Sequence, residues 1–313
     1  MNHIKPARTR TLTLDALPDV KGERLVIADE RVIKLHPRLK AIHGHWLTLR
    51  AGESVKSLRT LERCMSEVAH LPRGLTLIAI GGGTIGDFAT VFAHVFKRGV
   101  AKLIHVPTTL LAAVDSSVGG KGAVNVGGTK NLAGVFHGAD ETWLIPELFT
   151  TLTEAQRREG RIEAIKMVVT LDAKRWSKWQ RELPDDLEVI RVGRALKEAV
   201  VAKDPFETKG LRAVLNFGHT MGHVIESLSK YRVRHGEAVG LGMLYALDEG
   251  VRRRVTPREL ATEVEAVIPV KRAQLEKWIT PANAPRIREL LARDKKAAWI
   301  LLVRPGLTRR VAF

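Results

Sequence analysis

The sequence predicts an α/β protein in two parts, a mostly parallel sheet interleaved with helices over residues 1–150 and a mainly α-helical part over 151–313. Three observations lead there. The chain has 313 residues, and at roughly 150 residues per domain that length favours two domains. Its first half alternates short apolar runs with helix-period patterns, which implies crossover connections between parallel strands. After residue 150 the short runs give way to long stretches of helical spacing.

In chain order, the apolar runs at 25–28 and 46–49 read as strands, and Leu58, Leu61, Met65 and Val68 then recur at helical spacing. The run at 75–80 is another buried strand, followed by three glycines and a helix. Runs at 103–106 and 142–145 are closed by Pro107 and Pro146. Thr153 with Gln156, and Thr256 with Glu259, have capping-box spacing, the second with Pro257 at the first helical position. Helical patterns cover 154–182, 187–203, 217–230, 236–253 and 257–268, Pro281 and Pro285 punctuate the tail, and 299–303 is the one convincing late strand. The boundary near 150 is a change of pattern rather than a low-complexity linker.

Composition narrows the class. With 45% hydrophobic and 27% charged residues and a mean hydropathy of −0.06, the chain is close to the average soluble globular protein, which sets aside disordered, collagenous and membrane classes. The single cysteine, Cys64, allows no internal disulfide and no Cys-rich zinc site, and its place on an apolar helical face makes it core. The basic N-terminus precedes no long apolar run, so neither a signal peptide nor a membrane span is expected, and a cytoplasmic protein is. The net charge of +17 favours anionic partners. Aromatics are only 5%, too few for the stacking platforms of nucleic-acid binders, so no nucleic-acid partner is expected.

Two groups of residues carry potential chemistry. Gly81-Gly82-Gly83-Thr84-Ile85-Gly86-Asp87 follows a strand, opens a helix and has G-x-G-x-x-G spacing. It reads either as a Rossmann-like turn that seats a pyrophosphate on a helix N-terminus or as a merely tight strand-to-helix turn. The ribose-binding acid usual about 20 residues further on is missing, since 102–112 holds no carboxylate. His219 and His223, four apart, face one side of a helix. Such a pair also occurs as ordinary polar or capping residues, but with His235 at the start of the next helix and Glu163 on an earlier one, three of the four would supply the N/O ligands of a catalytic divalent metal with one position open. Lys121, Lys130, Lys166, Lys197 and Arg212 interleave with these sites, and Glu163 and Lys166 are i,i+3 neighbours. The segment 119–125 is too glycine-rich for a regular element and reads as a phosphate- or substrate-wrapping loop or a flexible connector.

These segments, together with Arg98-Gly99, Val106-Pro107-Thr108-Thr109-Leu110-Leu111, Val114-Asp115-Ser116-Ser117-Val118-Gly119-Gly120-Lys121, Lys130-Asn131, Glu163-Ala164-Ile165-Lys166 and His235-Gly236-Glu237-Ala238, resemble the 3-dehydroquinate synthase family in order and spacing. The likeness runs from about residue 52 to about 296. It implies an NAD-dependent, zinc- or cobalt-dependent cyclase that turns 3-deoxy-D-arabino-heptulosonate 7-phosphate, a small anionic sugar phosphate, into 3-dehydroquinate and phosphate. In the family a ring hydroxyl is oxidised transiently, phosphate is eliminated, the ketone is reduced again and the ring closes by an aldol step.

Carried over position by position, the resemblance implies metal ligands Glu163, His219 and His235, with His223 a catalytic hydrogen-bonding residue rather than a fourth ligand. Substrate cations would be Lys121, Lys166, Lys197 and Arg212, with Asp115, Asn131 and Asn216 as polar partners. Arg98 falls where the family donates an arginine across a dimer interface, which implies a homodimer. One of Lys295 and Lys296 matches a late substrate-facing lysine. Cofactor contacts would come from Asp29, Glu53, Lys56, Gly81, Gly82, Gly83, Asp87, Thr108, Thr109 and Lys130. The chain departs from the family pattern at Asp29-Glu30-Arg31, at Val126-Gly127-Gly128-Thr129 and by one residue inserted before Gly210. The nearest alternative is another NAD- and metal-dependent sugar-phosphate cyclase acting on sedoheptulose or glucose phosphate. A metal-dependent alcohol dehydrogenase and a metal-free scaffold are the more distant ones.

Overall fold

Runs such as 75–80 have no polar face to offer water, and they pair at the centre of a parallel sheet with helices on both sides. The computed structural model describes residues 6–96, 99–292 and 298–313 and divides the chain into two units, Met1–Gln156 and Arg157–Phe313. The first unit contains strands β1 (Arg8–Thr11), β2 (Arg24–Asp29), β3 (His45–Leu49), β4 (Leu75–Gly81), β5 (Val100–Pro107), β6 (Lys121–Val126), β7 (Thr129–Phe136) and β8 (Glu141–Leu144). Its helices are α1 (Glu30–Leu35), α2 (Leu58–Glu67) and α3 (Gly83–Val95).

Six of these strands form one sheet in the order β1-β8-β5-β4-β2-β3, and every pairing in it is parallel. Alternation along β2 and β4 splits the core in two. Leu25, Ile27, Leu77 and Ala79 pack with α2 and α3 on one face, where Cys64 is fully buried as expected. Val26, Ala28, Ile78 and Ile80 pack with Ile33, Leu39 and Trp143 on the other. Because the strands run one way, Asp29, Leu49, Gly81 and Pro107 end along a single edge. The strand order reverses between β2 and β4, the switch point where ligands of such sheets bind.

One strand of this unit has no apolar run to announce it, and one reading is corrected. Arg8–Thr11 is polar and mostly exposed yet forms the edge strand β1, because backbone pairing with β8 holds it there and an edge needs no apolar side chains. The glycine-rich segment 119–125 is not a loop throughout. From Lys121 it forms β6, paired antiparallel with β7. Gly127 and Gly128, at φ +56° and +77°, supply the two left-handed positions of the tight turn that joins them.

The second unit holds α4 (Glu154–Leu171), α5 (Ala173–Trp179), α6 (Asp186–Lys203), α7 (His219–Leu228), α8 (His235–Arg252), α9 (Arg258–Val267), α10 (Arg272–Glu276) and α11 (Ala284–Ala292). It closes with an antiparallel hairpin of β9 (Ala298–Arg304) and β10 (Leu307–Ala312). The single helix expected over 154–182 is two, because the Asp172 side chain accepts from Arg175 N at 2.9 Å and restarts the chain as α5. The Thr153 capping box forms, with Gln156 N donating to Thr153 Oγ1 at 3.3 Å and Thr153 N to Gln156 Oε1 at 2.9 Å. The one at Thr256 does not, since its hydroxyl donates to the Leu302 carbonyl at 2.6 Å instead. Among the described residues, no helix is long and apolar enough to cross a membrane.

Helix α8 is buried on nearly every side and lies against α7 at glycine distance. A Cβ on Gly242 would stand 1.9 Å from the Gly218 carbonyl oxygen. Gly242→Ala is therefore expected to force the two helices apart and to cost about 3 kcal/mol, read as a lower urea midpoint at unchanged slope. An unchanged midpoint would refute the close approach.

Candidate active site

Glu163 sits on α4 with its side chain fully buried. Its Oε2 accepts a hydrogen bond from Lys166 Nζ one turn on, while Oε1 has no hydrogen-bond partner. A buried carboxylate oxygen left so is costly, and it calls for a cation or donor. Two imidazoles face it. His219 Nε2 lies 3.6 Å away and His235 Nε2 3.8 Å away. These spacings suit tetrahedral ligands, which stand roughly 3.4 Å apart when each is about 2.1 Å from an ion. The three ligand atoms all fall within 4.8 Å of one another, so Glu163, His219 and His235 fit a divalent metal.

Local structure presents each ligand. His219 opens α7, and its Nδ1 lies 3.4 Å from the Phe217 carbonyl oxygen. A carbonyl only accepts, so the proton belongs on Nδ1 and Nε2 keeps its lone pair. Burial pushes the His219 imidazole well below its ordinary range, and Lys166, His235 and His223 push the same way, which favours the neutral, ligating form. His235 opens α8. A Cβ on the next residue, Gly236, would come within 2.5 Å of Glu159 Cα, so glycine there lets the first turn of α8 meet α4 and brings His235 to Glu163.

His223 stands beside this triad, its ring centroid 5.6 Å from that of His219 and 6.3 Å from that of His235, and it is not one of the three residues whose ligand atoms lie within 4.8 Å of one another. Lys197 on α6 and Arg212 are buried cations of the same unit. Arg212 and Asn216 share the short 3-10 turn Leu211–Asn216, and Arg212 Nη1 donates to the Pro205 carbonyl at 3.1 Å. The turn is anchored by Asp204, which the sequence reading missed. Its carboxylate accepts from the backbone N–H groups of Thr208, Lys209 and Leu211 at 2.9, 3.1 and 3.0 Å. Burial opposes the charge on Asp204, but these donors outweigh it and hold the carboxyl below its usual range.

In the first unit, the glycine turn joins β4 to α3. No side chain caps the first turn of α3, which leaves N–H groups open to an anion. The backbone packs closely here, since a Cβ on Gly82 would lie 3.1 Å from Thr109 Cγ2 and one on Gly83 3.0 Å from Ser116 Oγ. Gly81, Gly82, Gly86, His105, Pro107 and Ser116 line a small recess beside this turn. Thr108 joins the turn through its N–H to the Gly81 carbonyl, 3.0 Å.

A second group of polar side chains assembles in the same unit from residues far apart in sequence. Buried Lys56 donates from Nζ to Asp87 Oδ2 at 2.6 Å and to Asn131 Oδ1 at 2.7 Å. Glu53 accepts from Asn125 Nδ2 at 3.0 Å and lies 3.5 Å from Lys130 Nζ. The structure thus brings Glu53, Lys56, Asp87, Lys130 and Asn131 together and adds Asn125. Asp115 lies in the one-turn π-helix Ala112–Ser116, and exposed Lys121 starts β6 with its Nζ 5.9 Å from the Phe136 ring centre. Asp29 ends β2 and caps α1, accepting from Arg31 N at 3.0 Å. Arg98, Lys295 and Lys296 lie outside the described residues.

Two family models match the chain in succession, one described as 3-dehydroquinate synthase N-terminal over residues 46–159 and one as 3-dehydroquinate synthase C-terminal over residues 160–297. The 3-dehydroquinate synthase of Endomicrobium trichonymphae is 40% identical over 289 residues, covering 87% of this chain and 79% of the relative. That of Methylacidiphilum infernorum is 37% identical over 275 residues, covering 83% and 75%. Among solved structures, 2-epi-5-epi-valiolone synthase from Streptomyces hygroscopicus subsp. jinggangensis, with NAD+ and Zn2+ bound, superposes with a TM-score of 0.85 at 23% identity over 100% of this chain and 94% of that one. At that identity the likeness speaks for the fold alone.

Proposed function

The chain belongs to the 3-dehydroquinate synthase family, and from this we propose that it converts 3-deoxy-D-arabino-heptulosonate 7-phosphate into 3-dehydroquinate and inorganic phosphate. The observation that carries the reading is the orphaned Glu163 Oε1 facing the Nε2 atoms of His219 and His235. We assign NAD to residues 1–150 and the metal and substrate to residues 151–313.

Glu163, His219 and His235 would hold zinc or cobalt, which when bound supplies Lewis acidity toward a substrate hydroxyl, while NAD supplies reversible hydride acceptance. The chain's own residues do the rest. Lys166 engages Glu163 Oε2 and thereby leaves Oε1 directed at the histidines. Phe217 keeps the His219 proton on Nδ1. The first-turn N–H groups of α3 receive the pyrophosphate, with Thr108, Thr109 and the Glu53, Lys56, Asp87 and Lys130 group around the cofactor and Asp29 at the adenosine end. On the family resemblance, Lys121, Lys166, Lys197 and Arg212 neutralise the carboxylate and phosphate of the substrate, Asp115, Asn131 and Asn216 fix its hydroxyls, and His223 supplies a hydrogen bond beside the metal. We further propose a homodimer, as the family resemblance implies. A cytoplasmic setting agrees with one buried, unpaired cysteine.

The assay is phosphate release with zinc and a catalytic amount of NAD. The expected result is stoichiometric phosphate from the heptulosonate phosphate without accumulating NADH. Release from sedoheptulose 7-phosphate or glucose 6-phosphate but not from the heptulosonate would overturn the substrate, and net NADH would overturn the cyclase chemistry.

A further inference from the structure

Helix α7 aligns three polar residues on one face, His219, His223 and Glu226, at i, i+4 and i+7. The first two have roles above; Glu226 has none. Its side chain is 13% exposed, and its Oε1 lies 3.5 Å from His235 Nδ1. The other ring nitrogen of His235, Nε2, faces Glu163. His235 is thus flanked by a carboxylate at each nitrogen, one on the metal side and one behind it.

His219 has the same arrangement with a neutral acceptor, the Phe217 carbonyl behind Nδ1. An imidazole that ligates through Nε2 must carry its proton on Nδ1. An acceptor there selects that tautomer and fixes the ring plane, and a charged acceptor also makes the ligand more basic. The connection after α7 holds Glu226 in place. Its carbonyl accepts from Tyr231 N at 2.7 Å and from Ser229 Oγ at 2.9 Å, and Ser229 Oγ accepts from Val233 N at 3.2 Å. The short link to His235 is therefore tied back onto the turn that bears Glu226.

We propose that Glu226 is a positioning residue of the metal centre, accepting the Nδ1–H of His235 so that Nε2 is presented to the ion beside Glu163. The inference rests on the metal site proposed above and extends it to a residue outside the ligand set. Its role is set against that of Phe217. One histidine is oriented by a backbone carbonyl that no substitution removes, the other by a side chain that can be tested.

The parent chain, Glu226→Ala and Glu226→Gln are stripped of metal and titrated with zinc against a chromophoric chelator. The visible spectrum of each Co(II)-loaded protein is recorded alongside. Loss of the acceptor is expected to weaken zinc binding 10- to 100-fold in Glu226→Ala and to shift the Co(II) bands. Glu226→Gln, whose amide oxygen still accepts but carries no charge, should fall between Ala and the parent. Zinc affinities within twofold of the parent and superimposable Co(II) spectra in both variants overturn the inference and leave the metal site standing. A parent chain that binds no zinc overturns the metal site and this inference together. If Glu226→Ala does not fold, the near-isosteric Glu226→Gln decides. Weaker zinc binding with shifted bands supports the role, and parent-like behaviour refutes it.

Discussion

His235→Ala is expected to lose its metal and its turnover while keeping its fold. The side chain opens α8 and is 35% exposed, so truncation leaves no sealed cavity and breaks no helix interior. What it removes is one of three donors. If structural zinc sites are worth about 10–16 kcal/mol over four ligands, each donor contributes roughly 2.5–4 kcal/mol, or about two to three powers of ten in affinity. Metal analysis after gel filtration should find the ion gone, phosphate release should fall to background, and the melting temperature of the metal-free protein should stay within a few degrees of the parent. Retention of stoichiometric zinc would sink the ligand assignment. Glu163→Ala supplies the contrast. It too should lose the metal, but it also strands the Lys166 ammonium, whose side chain is only 1% exposed. Removing one partner of a buried pair costs about 3–5 kcal/mol, so this variant alone should unfold markedly earlier.

Arg212→Ala should cripple use of substrate and spare the cofactor. The guanidinium is 3% exposed on a turn that Asp204 holds by backbone donors, so its position is set before any anion arrives and little ordering entropy remains to be lost. Truncating one partner of a desolvated charge pair costs about 2–5 kcal/mol, a fall of roughly thirtyfold to several-thousandfold in kcat/KM for the heptulosonate phosphate. NAD affinity should stay within twofold, because the glycine turn belongs to the other unit. Equal losses in both would show that the substitution acts through general disruption, and Arg212 would then lose its substrate role.

Much of this was legible along the chain. The run 75–80 announces a strand buried on both faces, and β4 is one. The pair His219 and His223 announces a polar helical face, and continuing that spacing by three residues would have reached Glu226. The donor chemistry of a metal site, rather than periodicity, joined Glu163 and His235 to that face, and the family resemblance then marked which three are ligands. Other features had no local signature. Glycines at 119–122 signal irregularity, yet the segment from Lys121 is a strand because β7 pairs with it. Thr256 has the right neighbours for a capping box, yet its hydroxyl goes to Leu302, a partner no short-range pattern can name. Helical spacing runs through Asp172, where a side chain outcompetes the helix for a backbone N–H.

From residue order alone come the elements with a strong period, the parallel character of the sheet and the inventory of glycines, imidazoles, carboxylates and cations that the chemistry needs. Spacing sets angles within one helix or strand, and that is as far as it reaches. Whether Glu163 Oε1 is left unpartnered, which nitrogen of each histidine faces it, and what stands behind His235 depend on how closely α4, α7 and α8 approach one another. That approach is governed by contacts between distant residues, Gly242 against the Gly218 carbonyl and Gly236 against Glu159, where the space a methyl group would need is already filled by another helix.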